Sequence, residues 1–485
     1  MGTPDTPWSP VARMGWCFPS RATAGGQKIE AICRGARFYH MKIGIIGAGA
    51  AGLAAAFDLT EKGHDVTVYE SAPFVGGQAS TIPVGGSSLE RGYHHLFTND
   101  EAILDLMEDL DIYDHMKWYP SKVGTYTSGK VYKTTTPIDL LRLDAIPIID
   151  RIKLGLFAMR VKRIKDWKLL EDQTADFWLR ERLGGMAYEK VWAPLLKGKF
   201  GDFYDQIGMP WFWSKIQTRF ASRQGIRQRE MLGYPDGSFD TIFDKLQASI
   251  KSKGGEIHIS TPVIKINVVD DVATGLKTVT PDGEEFDRDF DCILSTVPSF
   301  SFPDLVDLPF EYKERLSSVH YLAAVVVILE MTDALTDFYW MNIADPDIPF
   351  LGLIEHTNML PKEWYGGNNI LYMTNYLDRE DPIYALSQDE LLDLYLPHLN
   401  KFNPKFQRSW IKATHYNALS AAQPIIGTNY SKVIPDHRTP IKRLYLANTT
   451  QVYPEDRGTN YSIKMGRKLV DTILSDERQH WRDWT

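Results

Sequence analysis

The feature that most restricts this chain lies at residues 42–52, Lys-Ile-Gly-Ile-Ile-Gly-Ala-Gly-Ala-Ala-Gly. Lys42 to Ile46 reads as a short buried strand running straight into Gly47, Gly49 and Gly52. A helical pattern follows from Leu53 to Lys62, then Gly63, a second strand from Asp65 to Tyr69, and Glu70 at its end. Gly47 suits a tight turn, Gly49 lets the backbone approach a pyrophosphate, and Gly52 lets the helix pack closely on the strand. The helix start, with Ala50 and Ala51, offers free N–H groups and partial positive charge to phosphates. Glu70 is placed to accept hydrogen bonds from ribose hydroxyls, and it disfavours a 2′-phosphate. A glycine-rich turn in some other α/β protein would leave that acid unexplained. The segment is therefore expected to hold a dinucleotide.

Which dinucleotide is indicated further on. Six residues after Glu70 come Gly76-Gly77-Gln78-Ala79. An acid, five residues and a glycine pair after a Rossmann unit resembles the flavin-containing amine oxidoreductase superfamily, in particular its protoporphyrinogen oxidase and carotenoid desaturase-like branch. Glu90-Arg91-Gly92-Tyr93-His94-His95-Leu96-Phe97 is similar to the stretch that borders the flavin in desaturase-like members. Tyr234-Pro235-Asp236-Gly237-Ser238, an amphipathic helix over 241–251, a strand over 256–259 and Thr261-Pro262-Val263 look like the family's second FAD segment. Residues 291–298 resemble a strand that runs towards the cofactor and ends here at Pro298. The last segment runs from a strand over 444–447 through Asn448 to Tyr453-Pro454-Glu455-Asp456-Arg457-Gly458-Thr459-Asn460-Tyr461 and a helix reaching about Leu474.

The resemblance implies non-covalent FAD. Its expected contacts are Gly47, Gly49, Ala50, Ala51, Gly52, Glu70, Gly76, Gly77, Gln78, Ala79, Val263 through its backbone, Pro298, Asn448, Gly458 and Tyr461. Two residues depart from the family pattern. Gln78 stands where Arg or Lys is usual, and Asn448-Thr449 replaces Gly followed by an acid. No cysteine lies in the closing segment, so a cysteinyl bond to the flavin is not available there. His94 and His95 are the polar groups expected near the flavin ring, as base or proton relay; a structurally hydrogen-bonded pair is the alternative. Arg457 is expected to touch flavin or substrate, or to cap the closing helix.

The expected fold class is α/β, a Rossmann-type FAD-binding domain with an inserted α+β substrate domain containing an antiparallel sheet. Residues 41–110, 225–300 and 430–475 would form the first, and 111–224 and 301–429 the second, with a tail at 476–485. Residues 1–40 are proline- and glycine-containing, with five Arg or Lys and two acids, and are read as an unstructured extension rather than a targeting leader. A net charge of −8 argues against a nucleic-acid surface, and three cysteines in 485 residues exclude a disulfide scaffold and suit a reducing, cytoplasmic setting. No His/Cys/carboxylate spacing typical of a metal site occurs. The longest apolar run, Leu322 to Leu329, is too short to span a bilayer and reads as a buried strand.

Residues 148–168 carry seven Arg or Lys against two Asp, with Ile149, Ile152, Leu156, Met159 and Ile164 between them. That composition suits a peripheral contact with an anionic membrane, or a surface helix packing one face on the core. Trp192, Trp211, Phe212, Trp213, Tyr339 and Trp340 are candidates to line an apolar cavity, or to be core. The leading functional expectation is an FAD-dependent dehydrogenase, desaturase or oxidase taking hydride from a C–H or C–N bond of an apolar or conjugated small molecule. A redox-neutral isomerase resembling UDP-galactopyranose mutase is the second, with Arg219, Arg223 and Arg227 as its diphosphate ligands. A flavin-binding partner without turnover is the third.

Overall fold

The computed structural model describes residues 40–136, 139, 142, 144, 146–221 and 230–482. Most of the expected extension, Arg223, Arg227 and the end of the tail lie outside the described residues.

Strand Lys42–Ile46 pairs in parallel with Asp65–Tyr69 on one side and Cys292–Ser295 on the other. Glu256–His258 and Leu444–Leu446 complete a five-stranded parallel sheet at its two edges. The period-two alternation of these strands decides what covers each face. Ile43, Ile45, Val66 and Val68 pack with Leu53, Ala54 and Phe57 of the first helix, Ala50–Glu61. Ile46, Tyr69, Ile293 and Leu446 face the opposite way, onto Ile266, Leu276 and Phe290. These belong to or flank a three-stranded antiparallel sheet, Val263–Val269, Val272–Val279 and Glu285–Asp289. A parallel sheet covered on both faces needs such near-continuous apolar strands.

The second large sheet has seven strands, in the order Ile411–Pro424, Tyr321–Met331, Asn369–Leu377, Gly352–Glu355, Trp340–Ile343, Val123–Thr127, Lys130–Lys133. All its pairs are antiparallel except Trp340–Ile343 with Val123–Thr127. The apolar run expected as a buried strand is its second strand, buried along its whole length between two neighbours. A small sheet of Leu96–Phe97, Met231–Pro235 and Met116–Pro120 carries the segment after His95.

Helices Ile148–Arg163, Ala175–Leu183, Ala193–Phe200 and Met209–Ala221 share their own core around Phe157, Trp178, Leu196 and Phe212. The first of these stops at Arg163 rather than continuing to Lys168. Ile164 is extended, and the Asp166 side chain instead accepts from Lys168 N at 3.0 Å, capping a separate short turn. The closing helix runs Thr459–Arg482, past the expected Leu474. Its apolar stripe of Ile463, Leu469, Val470 and Ile473 packs beside the first helix. Among the described residues no helix is long and apolar enough to cross a membrane.

The two long helices touch through Gly466, where an added Cβ would collide with the Ala51 carbonyl. Gly466→Ala should therefore cost at least about 2 kcal/mol, because backbone must move to admit the methyl group. Gly155, in the middle of helix Ile148–Arg163, has open space at the same position. Gly155→Ala should gain about 0.5–1 kcal/mol through helix propensity. Urea unfolding of both variants checks the contrast, and shifts of the same sign would refute it.

Candidate functional site

The two glycine segments meet. Gly47 N donates to Tyr69 O at 2.8 Å and the residue adopts a φ of 102°, turning the chain out of the sheet. A Cβ on Gly52 would strike the Gly47 carbonyl, so helix and strand approach as closely as backbone allows. Gly76 N donates to Ala48 O at 2.9 Å, and Gly49 and Gly76 form a parallel bridge. A Cβ on Gly77 would lie 3.1 Å from Gly49 Cα. No side chain caps the first helix at Gly49, so its first-turn N–H groups, those of Ala50, Ala51 and Gly52 among them, face a cradle free of side chains.

Glu70 lies at the rim of this cradle. Its Oε2 accepts from Ala48 N and its Oε1 from Ala72 N, each at 2.8 Å. Thr261 N donates to Glu70 O at 2.8 Å, which brings Val263 to the same edge; Val263 opens its strand opposite Thr278. At the other end, Thr296 Oγ1 donates to Ile46 O at 2.8 Å, and Asn448 Nδ2 donates to Val297 O at 2.9 Å. Pro298 and Asn448 are therefore neighbours, although 150 residues separate them in sequence. The Asn448 side chain also binds Ser299 and Thr450, and its backbone N–H and carbonyl are both taken by Gln451, so the residue is committed within the protein.

The closing segment reaches back to the second glycine pair. Arg457 Nη1 donates to Gln78 Oε1 at 3.4 Å, while Gln78 Nε2 donates to Ala421 O at 2.8 Å. Ala79, just beyond, is buried with its N–H on Gly76 O. Gly458 and Tyr461 flank the start of the closing helix, where Ser462 N donates to Gly458 O. Arg457 thus sets a guanidinium against Gln78, the position where the resemblance expects a cation.

His94 Nδ1 lies 2.7 Å from Gly92 O. A carbonyl only accepts, so Nδ1 carries the proton and Nε2 presents a lone pair. Burial, reinforced by Arg457, pushes His94 down to about 4. His95 Nδ1 lies 3.0 Å from Tyr339 OH, and burial with the positive neighbours His94, Arg219 and Lys215 takes it to about 3. Both imidazoles are neutral near pH 7.

Several further groups line the same region. Asp456 Oδ2 accepts from Lys199 Nζ at 2.8 Å and Lys215 Nζ at 2.5 Å, and its Oδ1 accepts from Trp211 Nε1 at 3.0 Å. Burial alone would raise this carboxyl, but Lys199, Lys215 and Arg457 hold it well below the usual carboxylate range. Arg457 Nη2 donates to Tyr376 OH at 2.6 Å, and Tyr376 OH lies 3.2 Å from Tyr93 OH. Against the effect of burial, Arg457 and Lys199 draw the Tyr376 phenol down; burial pushes Tyr93 up. Tyr93 also meets Trp340 edge-to-face at 4.9 Å. The aromatic candidates divide: Trp211, Phe212 and Tyr339 are core, whereas Trp192, Trp213 and Trp340 keep some exposure. Lys199, Lys215 and Tyr376 carry no motif. The available signal was a lysine set in an aromatic helical run, Trp211 to Lys215.

A family model described as "Flavin containing amine oxidoreductase" matches residues 50–454. The chain belongs to the flavin-containing amine oxidoreductase family. It is 35% identical to the zeta-carotene desaturase of Arabidopsis thaliana over 84% of this chain and 81% of that one. A Synechococcus elongatus protein named "Probable zeta-carotene desaturase" is 23% identical over 90% and 98% of the two chains. A candidate protoporphyrinogen oxidase from Exiguobacterium sp. shares the fold with a TM-score of 0.71 at 16% identity, over 90% of this chain and 99% of its own. The chain is thus a flavoprotein oxidoreductase on the α/β architecture of this family. The cradle fits a flavin dinucleotide in its own terms: two side-chain-free backbones face one another beside an uncapped helix and a ribose-height carboxylate.

Glu90, fully buried at the root of the His94 loop, accepts from Tyr234 OH and Phe239 N, yet burial pushes it up to about 7. A folded-state value above the ordinary one favours the protonated acid. Its stabilising contribution is then complete below about pH 4.5 and lost as pH rises through 7. Glu90→Gln should flatten the loss of stability between pH 5 and 8 by on the order of 3 kcal/mol. Chemical denaturation of both proteins across that range checks it; parallel pH profiles would refute it.

Proposed function

We propose that this family member binds FAD without a covalent link and takes hydride from a C–H or C–N bond of an organic substrate with an apolar or conjugated body. The observation that carries the reading is the meeting of Gly47–Gly52 with Gly76–Gly77 beside Glu70, and the convergence of residues 261–263, 297–298, 448 and 457–461 around them. The only described cysteine, Cys292, is buried in the parallel sheet with its thiol pushed well above its usual value by burial, which suits a non-covalent cofactor. Resemblance to enzymes named for carotene desaturation favours a conjugated substrate.

Bound FAD supplies the redox chemistry, accepting the hydride at its ring system. The protein holds the two partners in register and manages the proton. His94 is assigned the proton-accepting role, because its Nε2 carries a lone pair. With a value near 4 it passes a proton onward rather than storing it. His95 is held through Tyr339 and helps shape the wall. The division expected from sequence, a cofactor region from 41–110, 225–300 and 430–475 and a substrate region from 111–224 and 301–429, is supported by the strand content of the two large sheets.

The spectrum of the purified protein tests the cofactor. A flavin band should be present and released as FAD into the supernatant after acid precipitation. Gly52→Val should leave a colourless protein. A wild-type chain that cannot be reconstituted with FAD would sink the reading.

We also propose peripheral docking on an anionic membrane through helix Ile148–Arg163. Leu154, Phe157 and Val161 face inward, while Ile149 (65% exposed), Leu156 (63%), Ile152 and Met159 form an outward stripe. Lys153, Arg160 and Lys162 lie among them. Exposed apolar side chains with basic neighbours match the bilayer interface. The protein should co-sediment with phosphatidylglycerol vesicles and less with phosphatidylcholine ones. Ile152→Glu with Leu156→Glu should reduce binding at least tenfold. Equal sedimentation of wild type and variant would remove the proposal.

A further inference from the structure

We propose that Lys199, Lys215 and Arg457, with the phenols of Tyr93 and Tyr376, form a subsite for an oxyanion carried by the substrate, a carboxylate or a phosphate ester. The proposal rests on the flavin reading of the same site and narrows it: the substrate is amphipathic, with an apolar body and one charged head.

The charge balance carries the first part of the case. Lys199 and Lys215 share one carboxylate, Asp456, and Arg457 is the next residue along the chain. Three cations thus gather on one directly bonded carboxylate, with the buried Asp100 carboxyl as the more distant acidic neighbour of Lys215. Asp456 is already saturated, since its second oxygen takes Trp211 Nε1. If these groups only anchored the loop before the closing helix, one lysine would suffice. A second enclosed ammonium without a counter-charge costs free energy.

The donors left over carry the second part. Each ammonium has three N–H groups and gives one to Asp456. Both ammoniums also stand over aromatic faces: Lys199 lies 5.2 Å from the Trp211 ring and 5.7 Å from that of Tyr376, and Lys215 lies 5.7 Å from Trp211. Lys215 keeps 37% of its side-chain surface and Lys199 23%, so both remain partly accessible to a ligand. Arg457 spends Nη1 on Gln78 and Nη2 on Tyr376, and its Nε is enclosed without a partner among the described residues. An oxyanion in this space would meet ammonium, guanidinium and phenol donors together, the combination that holds carboxylates and phosphates most firmly.

The location carries the third part. Arg457 is close enough to His94, and Lys215 to His95, to lower the proton affinity of each imidazole. Arg457 also reaches Tyr376, whose hydroxyl lies 3.2 Å from that of Tyr93, so the cations stand beside the loop that carries the expected proton acceptor. The FAD pyrophosphate is served by the backbone of Gly47–Gly52 and Gly76–Gly77, on the far side of Gln78, and does not require them.

Isothermal titration of the holoprotein with octanoate, octyl phosphate and 1-octanol tests the proposal, with FAD occupancy and melting temperature recorded for every variant. At least one of the two anions should bind ten or more times as tightly as the alcohol, and which one does so separates a carboxylate from a phosphate head. Lys215→Met and Lys199→Met should each lower that anion's affinity about tenfold while leaving octanol binding and FAD occupancy unchanged. Lys215→Arg guards against a folding defect and should keep the preference. Anions binding no more tightly than octanol, or undiminished in both methionine variants, would overturn the proposal. Loss of FAD from folded methionine variants would also overturn it, by assigning the cations to the cofactor. A wild-type protein that holds no FAD but still prefers anions would support the subsite and overturn the flavin reading instead.

Discussion

Close approach of backbone to backbone is the constraint on which the rest of this molecule depends. The first helix lies against strand Lys42–Ile46 at Gly52, against the closing helix at Gly466 and against the second glycine segment at Gly49. Each contact brings main chain to within the radius of a single methyl group. Three segments far apart in sequence are thereby locked to one short helix, and the N-terminus of that helix is left without a side-chain cap. Van der Waals packing of this tightness transmits small displacements rather than absorbing them. The loop positions are thereby tied to the sheet by backbone contact, which suits a cofactor whose ring must be held within reach of a substrate carbon.

A second layer of order is electrostatic. Asp456 and Glu90 are both buried carboxyls, but their surroundings differ in kind. Asp456 is ringed by cations and is held ionised. Glu90 receives only phenol and amide donors, and burial raises it to about 7, so it titrates near neutral pH. One fixes charge before the closing helix, and the other ties the His94 loop to Tyr234 and Phe239. The contrast follows from partner chemistry, since hydrogen bonds from neutral donors offset only part of the desolvation of a carboxylate.

What was legible in the sequence was what local spacing encodes. Strands Lys42–Ile46 and Asp65–Tyr69 have the bounds their patterns predict, because β-branched runs stop at glycine or acid. The glycine pairs and Glu70 were legible because each does one job through backbone or carboxylate geometry. Lys199, Lys215 and Tyr376 were not. They come from two helices and a sheet strand of the large inserts, and only tertiary packing brings them to Asp456 and Arg457. Gln78 was half legible: the missing charge could be seen in the sequence, but the pairing of its side chain with Arg457 could not. The helix beginning at Ile148 was overextended because its basic and apolar composition continues beyond Arg163, whereas the extended Ile164 and the separate turn that Asp166 caps depend on backbone and side-chain geometry.

The two outward-looking features of the helical insert are physically coupled. Phe157, on the inner face of helix Ile148–Arg163, packs 6.4 Å from Phe212 of helix Met209–Ala221, and Lys215 lies one turn further along that second helix. The exposed apolar stripe and Lys215 are therefore carried by one packed pair of helices. An amphipathic molecule that partitions into a membrane places its charged head at the interface and its body in the hydrocarbon. A protein docked through that stripe would meet such a molecule across the same helix pair that carries Lys215. A wholly apolar substrate would gain nothing from the lysines and would incur the cost of passing them. The lysines thus set the membrane and substrate proposals in one frame: docking would bring the apolar body near, and the surplus charge would select which of the dissolved molecules enters.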